Sequence, residues 1–151
     1  MRILLKSCLI LAGAGALVGP AIAQGDNERN GGRKISTTLT GAAEVPGPGD
    51  PNGAGLFEGR VNPGNGRICY SLSAGMIGDA TAAHIHMGAS GVAGDPVLTL
   101  DRPDGDDEDS EECQDIDRSL AQALIRDPAA YYVNIHTGDF PNGAIRGQLG
   151  K

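Results

Sequence analysis

The sequence predicts an all-β fold: an antiparallel Greek-key β-sandwich of about seven strands with one short helix. Three observations lead there. Gly (24) and Pro (9) together make up more than a fifth of the 151 residues, while aromatics are 3% and Trp is absent. That composition excludes a coiled coil or helical bundle, and the glycines follow no triplet that would indicate collagen. Several short segments alternate apolar and polar residues with the period of two that a strand with one wet face requires. Turn-forming clusters separate those segments at short intervals.

The first 23 residues stand outside this domain. Arg2 and Lys6 form a charged start, Leu9 to Val18 is an apolar run, and Ala21-Ile22-Ala23 offers a small-residue cleavage site. This is the pattern of a secretory signal peptide (1–23), and the run is short of the ~20 apolar residues of a membrane span. Cys8 precedes the apolar run, where a lipoprotein signal would not put it. Residues 24–33 are polar, contain Gly31-Gly32 and lack periodicity, so they read as a flexible arm. The folded domain is expected over 34–151.

Lys34 to Thr40 is β-branched and bounded by Gly41, the first strand. Ala43 to Asn52 is Pro/Gly-rich and reads as a loop. Gly55 to Asn62 sets Phe57 and Val61 on one face, and Pro63-Gly64-Asn65-Gly66 is a hairpin turn. The clearest strand follows: Ile68, Tyr70, Leu72 and Ala74 alternate with Arg67, Cys69, Ser71 and Ser73. Cys69 then lies on the outer face. Thr81 to Met87 and Val97 to Leu100 are further strands, separated by the Gly-rich segment Gly88 to Gly94. Ser119 to Arg126 offers a short helix capped by Asp117 or Ser119 and ended by Asp127-Pro128. Tyr131 to His136 and Ala144 to Leu149 are the last strands, joined through Pro141-Asn142-Gly143.

Asp101 to Asp117 differs in kind, with ten acidic residues in 17. So dense a block repels itself, and it reads as a solvated surface loop tethered at Cys113. It does not fit a calcium-binding EF-hand loop, because placing Gly105 sixth would put Leu100 first. Once Cys8 leaves with the leader, Cys69 and Cys113 are the remaining cysteines, and an oxidising compartment favours a Cys69–Cys113 disulfide.

Removing the leader leaves ten basic against 19 acidic residues, a formal charge of −9. Such a chain is a poor partner for nucleic acid or an anionic membrane surface. No Gly-x-Ser-x-Gly elbow and no phosphate-cradling glycine loop is present, so no catalytic residues are assigned. What remains is the histidines, His84, His86 and His136. Residues two apart on a strand share a face. His84 and His86 therefore project together, opposite Ile85, while His136 projects with Asn134, opposite Val133 and Ile135. If the two strands are neighbours, three imidazoles converge where copper or zinc can bind through neutral nitrogens. The alternative is that the three rings hold turns in place by hydrogen bonds to backbone.

Leu39-Thr40-Gly41-Ala42-Ala43-Glu44-Val45-Pro46, Ala82-Ala83-His84-Ile85-His86, Tyr132-Val133-Asn134-Ile135-His136-Thr137 and Pro141-Asn142-Gly143-Ala144-Ile145-Arg146-Gly147-Gln148-Leu149 occur in that order. Together they resemble the CHRD (chordin) domain family, over roughly Lys34 to Leu149. The resemblance implies an extracellular β-sandwich module of the kind found in chordin and in exported bacterial proteins. The acidic insert with Cys113 is no hallmark of the family. The order His84, His86, His136, Arg146 also resembles the copper site of copper-zinc superoxide dismutases. That likeness implies that Arg146 supports the ligands from behind or faces an anion, though no histidines remain for a bridging or zinc site. Two functional classes follow. The first is a secreted or periplasmic, non-enzymatic binding module for a protein or small ligand. The second is a mononuclear copper protein with dismutase-like or other redox activity.

Overall fold

The computed structural model describes residues 31–103 and 110–151. The signal peptide and most of the arm assigned from sequence lie outside those residues, as does the middle of the acidic stretch. Arg33, assigned to the arm, is the first residue of a strand.

Among the described residues, eight strands and one α-helix make up the fold: β1 (Arg33–Thr40), β2 (Ala54–Asn62), β3 (Arg67–Gly75), β4 (Ala80–Met87), β5 (Pro96–Leu100), β6 (Ser110–Asp115), α1 (Arg118–Arg126), β7 (Tyr131–Thr137) and β8 (Ile145–Gln148). All pairings are antiparallel. The strands form one continuous sheet in the order β5-β4-β7-β8-β1-β2-β3-β6. The two layers expected of a sandwich are the two halves of this sheet. They meet where β8 pairs with β1 at Thr40 and Arg146, and again where Ser36 bridges Gly150. The sheet curls until both halves share a single core, in which Ile35, Phe57, Ile68 and Leu72 pack with Ile85, Val133, Ile135 and Ile145.

Strand parity holds as the alternation predicts. In β3, Ile68, Tyr70 and Leu72 are buried core residues. The turn after β2 closes at Gly66, whose φ of +69° is the left-handed conformation that glycine adopts without a steric penalty. On α1, Ala121 and Leu124 are buried, and the helix rests on β1, β2 and β3.

The acidic stretch departs from expectation. Its end, Ser110–Asp115, is not a loop but β6, the edge strand beside β3 and the eighth strand of the sheet. Sequence alternation was masked by charge. The strand is fixed instead by register, since Cys113 lies directly opposite Cys69 and the two are disulfide-bonded. Cys69 keeps its outward parity yet is 2% exposed, so it belongs to the covered part of that face. The sheet's edges, β5 and β6, come close together: Gln114 Nε2 donates to the Thr99 carbonyl at 3.1 Å, and Asp101 N donates to the Tyr70 hydroxyl at 2.7 Å.

Candidate metal centre

The candidate centre lies on the outer face of β4, β7 and β8. Pairing sets Ala82 opposite His136, His84 opposite Asn134 and His86 opposite Tyr132, while β8 sets Arg146 opposite Asn134 and Gln148 opposite Tyr132. Because side chains two apart share a face, this register carries His84, His86, Tyr132, Asn134, His136, Arg146 and Gln148 to one side of the sheet. Ala83, Ile85, Val133, Ile135 and Ile145 go to the core on the other side.

The three imidazoles converge. One nitrogen from each lies within 4.8 Å of the other two. His84 Nδ1 and His136 Nε2 are 3.3 Å apart. Ligand nitrogens about 2 Å from one ion stand about 3.3 to 4 Å apart. The first pair already has that spacing, and the full set would have to close by about 1 Å to share one ion. The rings of His84 and His86 meet edge to face at 5.4 Å, and those of His84 and His136 at 5.2 Å.

Backbone carbonyls fix the tautomers. His86 Nδ1–H donates to the Gly94 carbonyl at 2.8 Å, and His136 Nδ1–H donates to the Pro141 carbonyl at 3.0 Å. In both rings the other nitrogen, Nε2, is thereby left as the lone-pair atom, the arrangement by which outer hydrogen bonds orient a metal-ligating imidazole. His86 Nε2 is buried without a hydrogen-bond partner. Burial holds the His84 and His136 pKa values below the usual imidazole range, helped for His84 by the two other rings and for His136 by His86; the Pro141 carbonyl pulls the other way. Both therefore favour the neutral form that ligates.

Arg146 shares this face but is 2% exposed. Its Cζ lies 3.3 Å from the centre of the Tyr132 ring, and His86 stacks on Tyr132 at 4.8 Å with an interplanar angle of 9°. Strands on either side of β7 carry these two partners, so the phenol ring lies between the guanidinium and His86. Arg146 Nη2 donates to the carbonyls of Ala89 and Val92, each at 3.0 Å, and Gln148 Nε2 donates to that of Gly88 at 2.8 Å. These bonds draw the segment after β4 over the sheet, and its Gly94 carbonyl fixes His86.

Sequence reasoning named the three histidines and Arg146 and placed Asn134 on the outer face with His136, but it gave Tyr132 and Glu44 no part in the site. Tyr132 and Asn134 were legible as outward-facing partners of β7. Glu44, just after β1, is 5% exposed, with its Oε1 unpartnered. Desolvation raises its pKa to about 7, against the opposing pull of Arg146 and of a hydrogen bond from the Val45 backbone.

A family model for the CHRD domain matches residues 35–149. The chain therefore belongs to the CHRD domain family, and the match runs from within β1 through all of β2 to β8. No curated protein and no solved structure matches the chain. Among the described residues no helix is long and apolar enough to cross a membrane.

Proposed function

We propose that this chain is an exported CHRD-domain protein acting as a non-enzymatic binding module, which holds one copper or zinc ion at His84, His86 and His136. The observation that carries the reading is the convergence of three imidazole nitrogens within 4.8 Å, one of them the buried and unpartnered Nε2 of His86. An all-nitrogen set of neutral imidazoles suits these borderline metals and is poor for the oxygen-seeking calcium or magnesium. Export is supported by the leader-like start of the sequence and by the Cys69–Cys113 bond, which an oxidising compartment maintains. The module's partner outside the cytoplasm is a protein or a small ligand.

The test is metal content. Protein purified from copper- or zinc-supplemented cells and dialysed should retain about one equivalent, and a His84→Ala/His86→Ala/His136→Ala variant should retain none. Equal retention by both would return the three histidines to a structural role.

A second reading, redox chemistry at a single copper, is favoured by one observation: His84 is only partly buried, so an ion beside it has a route to solvent. Copper-loaded protein that consumes superoxide faster than the triple variant would support this reading over pure binding.

A further inference from the structure

We infer that Arg146 is a positioning residue of the three-histidine centre, acting on His86 through the Tyr132 ring and through the loop that supplies the Gly94 carbonyl. The inference rests on the metal reading above and adds to it a residue that touches none of the ligands.

Two routes lead from the guanidinium to His86. In the first, Arg146 covers one face of Tyr132 at 3.3 Å and His86 covers the other at 4.8 Å, nearly parallel. A flat cation pressed on the phenol fixes its plane, and the phenol fixes the imidazole plane, so rotation of His86 away from the ion is blocked. In the second, Nη2 clamps the Ala89 and Val92 carbonyls. The same loop runs on to Gly94, whose carbonyl accepts from His86 Nδ1–H at 2.8 Å and whose N–H donates to the Tyr132 hydroxyl at 3.2 Å. The clamp therefore holds in place the acceptor that makes Nε2 the ligating atom. A buried guanidinium whose Nη1 has no hydrogen-bond partner is costly. Its placement over the one ring that backs His86 gives that cost a function. Lysine would carry the charge without the planar group that stacks on Tyr132.

The experiment compares the full chain with Arg146→Lys and Tyr132→Leu, and uses Val61→Ala as a control that removes core volume in the other half of the sheet. Each is titrated with Cu(II) against a chromophoric chelator, and the copper-loaded form is examined by electron paramagnetic resonance. Loss of an outer-shell partner lowers metal affinity by about 10–100-fold. That loss and an altered copper hyperfine pattern are expected for both site variants, while Val61→Ala keeps the native affinity and spectrum. A folded Arg146→Lys with affinity within about twofold of native and a superimposable spectrum would overturn the inference. Should that variant fail to fold, Tyr132→Leu decides by the same criteria, since it removes the ring through which the first route passes. Failure of the native protein itself to bind copper is a different result, and it removes the metal reading along with this one.

Discussion

Glu44 gives the sharpest test of the energetics. Its carboxyl is buried beside Gly143, where a β-carbon would meet the carboxylate, and its Oε1 has no hydrogen-bond partner. Desolvation raises its pKa from 4.5 to about 7, and the opposing attraction of Arg146 only partly offsets this. A carboxyl whose folded pKa lies above its unfolded value binds its proton more tightly in the native state. Below pH 4.5 it is protonated in both states and costs nothing. Between pH 4.5 and 7 the unfolded chain ionises first, so stability falls as pH rises. The shift corresponds to a loss of about 3 kcal/mol, complete above pH 7. Glu44→Gln removes the titration. Urea denaturation of both proteins at intervals from pH 4 to 9 isolates the effect, because every other group is common to the pair. The variant should gain on the native protein by about 3 kcal/mol across this window. A difference that stays constant with pH would show that Glu44 ionises inside the fold as readily as in water, and the burial argument would be wrong.

Four further outcomes are expected. Reducing the Cys69–Cys113 bond, whose partners are 44 residues apart, should lower stability by up to about 4 kcal/mol in the chain-entropy model, read as a lower urea midpoint with dithiothreitol. Ile85→Ala should cost about 2–5 kcal/mol, since Ile85 is fully buried, whereas His84→Ala on the opposite face should cost less than about 1 kcal/mol; thermal melts of the metal-free proteins separate the two faces of β4. Copper affinity measured by calorimetry should fall as pH drops and protons compete for His84 and His136, with burial displacing that loss to lower pH than for an exposed imidazole, and an affinity independent of pH would exclude histidine ligation. Gly143→Ala should destabilise by about 1–3 kcal/mol, because φ is +136° and the added carbon meets Glu44; a Glu44→Ala background should recover part of the loss in the same melts.

Period-two alternation carried most of the fold, because a half-buried strand must put alternate residues in water. That is why β2, β3, β4 and β7 fall within a residue or so of their expected positions. It failed at β6, where Glu111, Glu112 and Asp115 leave no apolar rhythm to read, and pairing with β3 comes from register and the disulfide. The facing of the histidines was legible for the same reason as the core, since Ile85 and Ile135 claim the inside. Their convergence was not, because nothing local in 80–87 or 131–137 states that these two strands, more than 40 residues apart, are neighbours. Arg146 shows the limit most clearly. Parity places it outward, and a sequence reader leaves an outward arginine in solvent, yet it is 2% exposed under backbone that arrives from the other end of β4.

The loop that buries Arg146 also explains how one face of a sheet is made into a rigid site. A strand holds a side chain's root but leaves its outer torsions free. For metal binding the cost of ordering three imidazoles is subtracted from the affinity. For two of them that ordering is already built into the fold. Hydrogen bonds to Gly94 and Pro141 set the tautomers of His86 and His136, and Tyr132 sets the plane of His86. His84 lies 3.3 Å from His136 and meets the His86 ring edge to face, but among the described residues no backbone carbonyl fixes its tautomer, and it is partly exposed. On the metal-binding proposal it is the ring left to move if the set closes by about 1 Å. On the metal-binding proposal, two fixed rings and one adjustable ring would let the site accept ions of differing geometry. His84→Ala should accordingly weaken binding less than His86→Ala, whose ring is already paid for in order. Paired titrations with Cu(II) and Zn(II) measure that ranking, and the reverse order would place the rigid part of the site at His84.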